Sequence, residues 1–262
     1  MLHGIRHIAG AALVSLGIVA TGPGAMAQPA LDTTNYQRII ATDVHRASTG
    51  VDALVQRLEA GDLVGAKQAW FDSRRGWTRS APALLGQFPN ELAAIDSWPS
   101  ASTGFHAVET ALFGGGGDTQ AALAAARQLQ TNLHALDGTV ATAQFDASRL
   151  LAGAAGLAGE MAGRKSEGAE SQLSGTTIYD LQHNFDGIRT LFGGVFKQPL
   201  SLADPTLAQT IERQIQTLGV VLHHDNFPAV NREALRTESS KLAALFVQAA
   251  GPLGIAPPMT TM

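Results

Sequence analysis

The chain has 262 residues, no cysteine and a formal net charge of -4 at pH 7. Without cysteine there is no disulfide, no thiolate metal site and no lipid anchor on an N-terminal cysteine. The mild acidity, with no basic run and no interleaving of basic and aromatic residues, argues against a nucleic-acid partner.

Residues 1–27 read as a secretory signal peptide. Arg6 supplies a positive start, Ile8 to Ala20 (IAGAALVSLGIVA) is a short uncharged apolar run, and Ala25-Met26-Ala27 gives the small-x-small pattern, so cleavage is expected before Gln28. A transmembrane helix needs roughly 20 apolar residues, and this run is shorter and meets Gly-Pro-Gly. The expectation is an exported, soluble, periplasmic protein.

Beyond the leader the apolar periodicity is helical throughout. Residues 34–60 place Tyr36, Ile39, Ile40, Val44, Val51, Leu54, Val55 and Leu58 at three- and four-residue steps. Gly61-Asp62 breaks that helix, and Asp62 can cap the next, 63–84, with Trp70, Phe71 and Trp77. A looser stretch punctuated by Pro89 and Pro99 leads to a helix from Ser102 or Thr103 to Gly114. Asp118 caps a helix to about Asp137-Gly138, and another runs from Asp146 to about Gly163. A polar loop (GRKSEGAESQLSG) precedes the amphipathic segment 177–195, and helices at about 204–224 and 231–250 finish the chain. About eight helices with short connections imply an all-α fold of two packed antiparallel four-helix bundles, residues 28–140 and 141–262.

The chemistry-bearing stretch is GFHAVE. His106 and Glu109 stand three residues apart, which on a helix puts them on one face with Cβ atoms about 5 to 6 Å apart. Imidazole with carboxylate suits iron, zinc or copper, with further ligands needed from elsewhere. The same spacing equally describes a hydrogen-bonded pair without a metal, and alone it does not separate the two. Gly104 just upstream would let another backbone approach the helix start. The four glycines 114–117 end that helix; with no strand before them and no Lys-Ser/Thr after, they do not form a phosphate loop. His223-His224-Asp225 reads as surface, because adjacent helical histidines diverge by roughly 100°. His183 reads as solvent-facing, and His45 and His134 as lone helical histidines. Arg74, Arg75 and Arg79 suit buried pairing with Asp180 or Asp186, or an anionic ligand. Asn184 and Asp186 suit hydrogen bonding across the bundle.

Three separated segments carry a resemblance. GFHAVE (104–109) matches a Gly-x-His-x-x-Glu signature, AKQAWFDSRRGWTRSAPAL (66–84) an Ala-rich second helix, and YDLQHNFDGIRTLF (179–192) a Trp-Asp-Phe-Gln-type helix. Together they resemble the imelysin-like family, which includes the EfeO- and EfeM-type proteins of bacterial iron uptake. The resemblance implies an all-helical double bundle in the periplasm with a metal site formed by His106, Glu109 and Asp96, and with Glu170, Asp180 and Asp186 as outer or additional ligands. The implied cofactor is a divalent or trivalent metal ion, iron first and zinc or copper as alternatives. The implied partners are that metal and an inner-membrane iron permease or a peroxidase-type protein. The family also carries a peptidase label, yet no His-Glu-x-x-His or nucleophile constellation is present, so a carrier is favoured over a metallopeptidase. The sequence departs from the family at Thr78 and Ala81, where glutamates are expected, and at Gly175, where a histidine is expected. These losses leave a thinner site, or a helical interaction module that has lost it, as open alternatives.

Overall fold

The structure, a computed structural model, describes residues 31–96, 103–115 and 117–258. The expected signal peptide, its expected cleavage site and Pro99 lie outside these residues. The described chain is all-α, with helices α1 (Thr34–Glu59), α2 (Leu63–Gln87), α3 (Pro89–Ile95), α4 (Gly104–Phe113), α5 (Thr119–Thr142), α6 (Ala147–Ala162), α7 (Thr177–Leu191), α8 (Lys197–Ala203), α9 (Pro205–Val221) and α10 (Arg232–Leu253).

The expected caps form. Asp62, Asp118 and Asp146 accept hydrogen bonds from the backbone N–H of Gly65, Ala121 and Arg149, satisfying donors that a helix N-terminus otherwise leaves orphaned. Two short helices depart from the sequence reading. The stretch around Pro89 is helix α3, whose fixed-φ proline opens the first turn. The segment expected as one helix over 177–195 instead ends at Leu191, widens into a π turn over Phe192–Phe196 that contains Gly193 and Gly194, and continues as α8.

Only Ala60, Gly61 and Asp62 separate α1 from α2, so these two helices pack side by side in opposite directions. α5 packs on α1 and carries α4, while α6 packs on α10 and α10 on α9. The second helix belongs to both groups, with α1 on one flank and α6 and α7 on the other. Its two indoles, Trp70 and Trp77, are completely buried; truncating a buried aromatic of this size costs about 3–5 kcal/mol.

The C-terminal half of α2 lies almost backbone to backbone on its neighbours. A Cβ on Gly153 of α6 would stand 1.9 Å from the Pro82 carbonyl oxygen, and one on Gly187 of α7 would stand 2.2 Å from that of Arg79. This close approach draws Arg74, one to two turns earlier on α2, into the space between α4, α7 and the loop that follows α6.

Candidate metal centre

Four pieces of chain meet there. Arg74, Trp77 and Thr78 come from α2, His106 and Glu109 from α4, Asp180 and Asn184 from α7, and Lys165, Glu170, Ser171 and Ser174 from the polar loop. Asp96 joins them from the end of α3. Gly104 makes that meeting possible: its φ is +72°, and a Cβ would lie 2.0 Å from the Ile95 carbonyl oxygen. A side chain at 104 would push α3 away and separate Asp96 from His106.

His106 Nε2 lies 3.3 Å from Asp96 Oδ1 and 3.9 Å from Glu170 Oε1. One ligating atom from each of these residues falls within 4.8 Å of the others. Metal bonds of 2.0–2.2 Å in a tetrahedral set give ligand–ligand edges of about 3.4 Å, so the three atoms are spaced as ligands of one ion would be.

The remaining atoms of these side chains are held from behind. Glu109 Oε2 is 3.2 Å from His106 Nδ1, and Glu109 Oε1 accepts from the Ser174 backbone N–H at 2.9 Å and the Ser174 hydroxyl at 2.7 Å. An ionised Glu109 therefore takes the Nδ1 proton and leaves Nε2 as the nitrogen that faces Asp96 and Glu170, the usual carboxylate–histidine support of a metal ligand. Trp77 donates its indole N–H to Asp96 Oδ2 at 2.7 Å, and Lys165 donates to Glu170 Oε2. Arg74 spans the cluster, donating to Asp96 at 2.7 Å, Glu170 at 3.1 Å and Asp180 at 3.0 Å.

Burial and charge act against each other throughout. Burial opposes ionisation of Asp96, but Arg74 and then His106 outweigh it and hold the carboxyl below its ordinary pKa. Glu170 is likewise held down against burial, chiefly by Lys165. Burial disfavours the charged form of His106, yet its hydrogen bond to Glu109 and the charge of Asp96 raise its pKa. For Glu109 the burial penalty is outweighed by the hydrogen bonds from His106 and Ser174, and its pKa falls. Asp180 goes the other way, because burial exceeds its share of the Arg74 charge. Asp96 and Glu170 share the Arg74 guanidinium with Asp180, so a bound cation beside them would add to the positive charge that offsets these acids.

A cavity of about 80 Å³ adjoins the cluster, with Asp96, His106 and Glu170 in its wall. Thr78 and Ala81 also line it, so the expected glutamates are replaced by space. A surface groove of about 940 Å³ shares Leu85, Glu160 and Arg164 with this cavity.

The sequence candidates thus divide. Asp96, His106 and Glu170 are brought together by their ligating atoms, Glu109 stands on the opposite ring nitrogen, and Asp180 reaches the cluster through Arg74, as the pairing argument anticipates. Asp186 is not brought in: it pairs with Arg189 at 2.8 Å on the partly exposed side of α7. Arg79 pairs with Asp43, at 2.7 Å from its Nε, in place of Asp180 or Asp186. His45 and His134 pair at the surface with Asp137 and Asp52, and His223 and His224 are exposed. His183 is half-buried where solvent exposure was expected, and burial lowers its pKa. Lys165 and Ser174 have no sequence signal beyond a hydroxyl-rich loop joining α6 to a helix with a buried acid, and Trp77 reads from sequence only as an aromatic on the α2 face.

The imelysin family model (peptidase M75) matches residues 91–248. The chain belongs to the imelysin family. The three candidate ligands of this imelysin fall within the match, while Arg74, Trp77 and Thr78 precede it. Relatives include "Iron uptake system component EfeO" of Escherichia coli K12 and of Shigella flexneri, each 26% identical over 240 residues, covering 85% of this chain and 64% of the relative. The chain therefore spans slightly less than two thirds of the EfeO proteins. A solved structure from Parabacteroides distasonis, an iron-regulated protein A precursor, superposes with a TM-score of 0.59 at 14% identity, over 86% of this chain and 91% of that one. This likeness establishes the shared helical fold.

Proposed function

We propose that this imelysin binds iron as a component of an EfeO-type uptake system, with Asp96, His106 and Glu170 as the protein ligands and Glu109 as the residue that orients His106. One observation carries the reading: the buried His106 and Glu170 and the partly buried Asp96, from three chain segments, converge their ligating atoms within 4.8 Å, on a chain whose relatives are iron-uptake components. A mixed nitrogen–carboxylate set accepts iron and also zinc or copper, so the uptake relatives tip the choice of ion. Two ionised carboxylates suit a cation that must be held and then handed on.

The reading places the chain in the periplasm, on the strength of its leader pattern, and in company with an inner-membrane iron permease or a peroxidase-type protein. Among the described residues no helix is long and apolar enough to cross a membrane. The role is carriage, and no catalytic step is assigned. Calorimetric titration of the protein with Fe²⁺ under anaerobic conditions, and with Zn²⁺ and Cu²⁺, tests it against a His106→Ala, Glu170→Gln double variant. One strong site in the wild type that is lost in the variant is expected; equal, weak binding by both overturns the reading.

A further inference from the structure

Three protein ligands leave an iron ion short of its usual coordination number, and the cavity beside Asp96, His106 and Glu170 is where the remainder must come from. We infer that this cavity takes one small oxyanion, of bicarbonate size, as a co-ligand of the bound metal. The inference rests on the metal reading above and adds what completes the site.

Size sets the first limit. At about 80 Å³ the cavity has room for a few waters or one small oxyanion. The wall chemistry sets the second. Asn184 lines the cavity with 1% of its surface exposed, and its Nδ2 has no acceptor among the described residues. A buried donor left unmet costs about 1–3 kcal/mol, so this amide calls for an acceptor inside the cavity. The nearby carboxylates do not serve: Asp96 is engaged by Arg74 and Trp77, and Glu170 by Arg74 and Lys165.

Arg164 and Lys165 add two cationic side chains to the same wall. Glu160, also on the wall, has its pKa raised by burial. Without a metal, Asp96 and Glu170 oppose an anion here. With their charge taken up by a metal, the wall becomes one of donors and cations, and metal and anion favour each other's binding as a coupled pair.

The test is calorimetric titration of the full chain with Zn²⁺ in carbon-dioxide-free buffer, then with bicarbonate, then with inorganic phosphate. Binding tightened about tenfold by bicarbonate is expected in the wild type, with no gain in Asn184→Leu, which keeps the bulk and removes the donor. Asn184→Asp, close in shape, places a negative charge where the anion would lie and is expected to lose the gain as well. Circular dichroism confirms that both variants are folded. Tightening by phosphate alone would assign the same site to the larger oxyanion. If Zn²⁺ binds the wild type strongly but neither anion changes its affinity, the co-ligand inference fails and the metal site stands. If Zn²⁺ does not bind at all, the metal reading fails, and this inference with it.

Discussion

Replacing Arg74 with methionine probes how the cluster is held. The guanidinium is 3% exposed and donates to three carboxylates, Asp96, Glu170 and Asp180, while its aliphatic stem runs among Trp70 and Phe105, whose rings lie 5.6 and 5.2 Å from the guanidinium carbon. Methionine keeps the stem packing and removes the charge. Removing one partner of a buried ion pair costs about 3–5 kcal/mol, because the charges left behind stay out of water. Proton uptake by one of the three acids limits the loss, and Asp180, whose pKa burial already raises, is the first to take one. For a chain of this size each kcal/mol is worth about 2–4 °C, so Arg74→Met should melt roughly 6 to 20 °C below the wild type. Thermal unfolding followed by far-ultraviolet circular dichroism measures this. Saturating Zn²⁺ should narrow the gap, since a dication replaces the lost charge beside Asp96 and Glu170 and stabilises only the folded form. A variant that melts within about 2 °C of the wild type would refute the view that Arg74 organises the cluster.

Other substitutions follow from the same geometry. Glu109→Gln keeps an oxygen for Ser174 but presents an amide N–H to His106 Nδ1, moving the ring proton to Nε2; metal affinity should fall about 10–100-fold in calorimetry, with the melting temperature nearly unchanged. Trp77→Phe removes the indole donor to Asp96 Oδ2 and should weaken the metal by a smaller factor in the same titration, since Arg74 still holds that carboxylate. In urea unfolding, Gly153→Ala should cost about 1–3 kcal/mol, because its Cβ would sit 1.9 Å from the Pro82 carbonyl oxygen and force α6 off α2. Gly159→Ala on the same helix meets nothing within 4 Å and should stabilise by up to about 1 kcal/mol through helix propensity.

Periodicity and capping residues made the eight long helices legible, because each amphipathic face and each Asp or Asn cap is a local signal. The short helices α3 and α8 were not: Pro89 reads as punctuation in the sequence but opens a helical turn, and Gly193-Gly194 bends a continuing segment without ending it. For the site, the spacing of His106 and Glu109 showed that both leave one face of α4, but not which ring nitrogen the glutamate would take. Sequence distance likewise left open whether Glu170 would stand beside Asp96 and His106 or outside them. Glu170 reaches Asp96 and His106 only because the loop after α6 folds over Arg74, with Ser171 at a φ of +42° and its hydroxyl bound to Asp180. Asp186 misled for a simpler reason: six residues after Asp180 on one helix is 600°, which turns it about 120° away from the cluster.

The most direct measurement is elemental analysis of the protein, purified without chelators, beside the His106→Ala, Glu170→Gln variant prepared in the same way. The account requires close to one iron per wild-type chain and only a small fraction of that in the variant. Traces of several metals at equal levels in both proteins would contradict it.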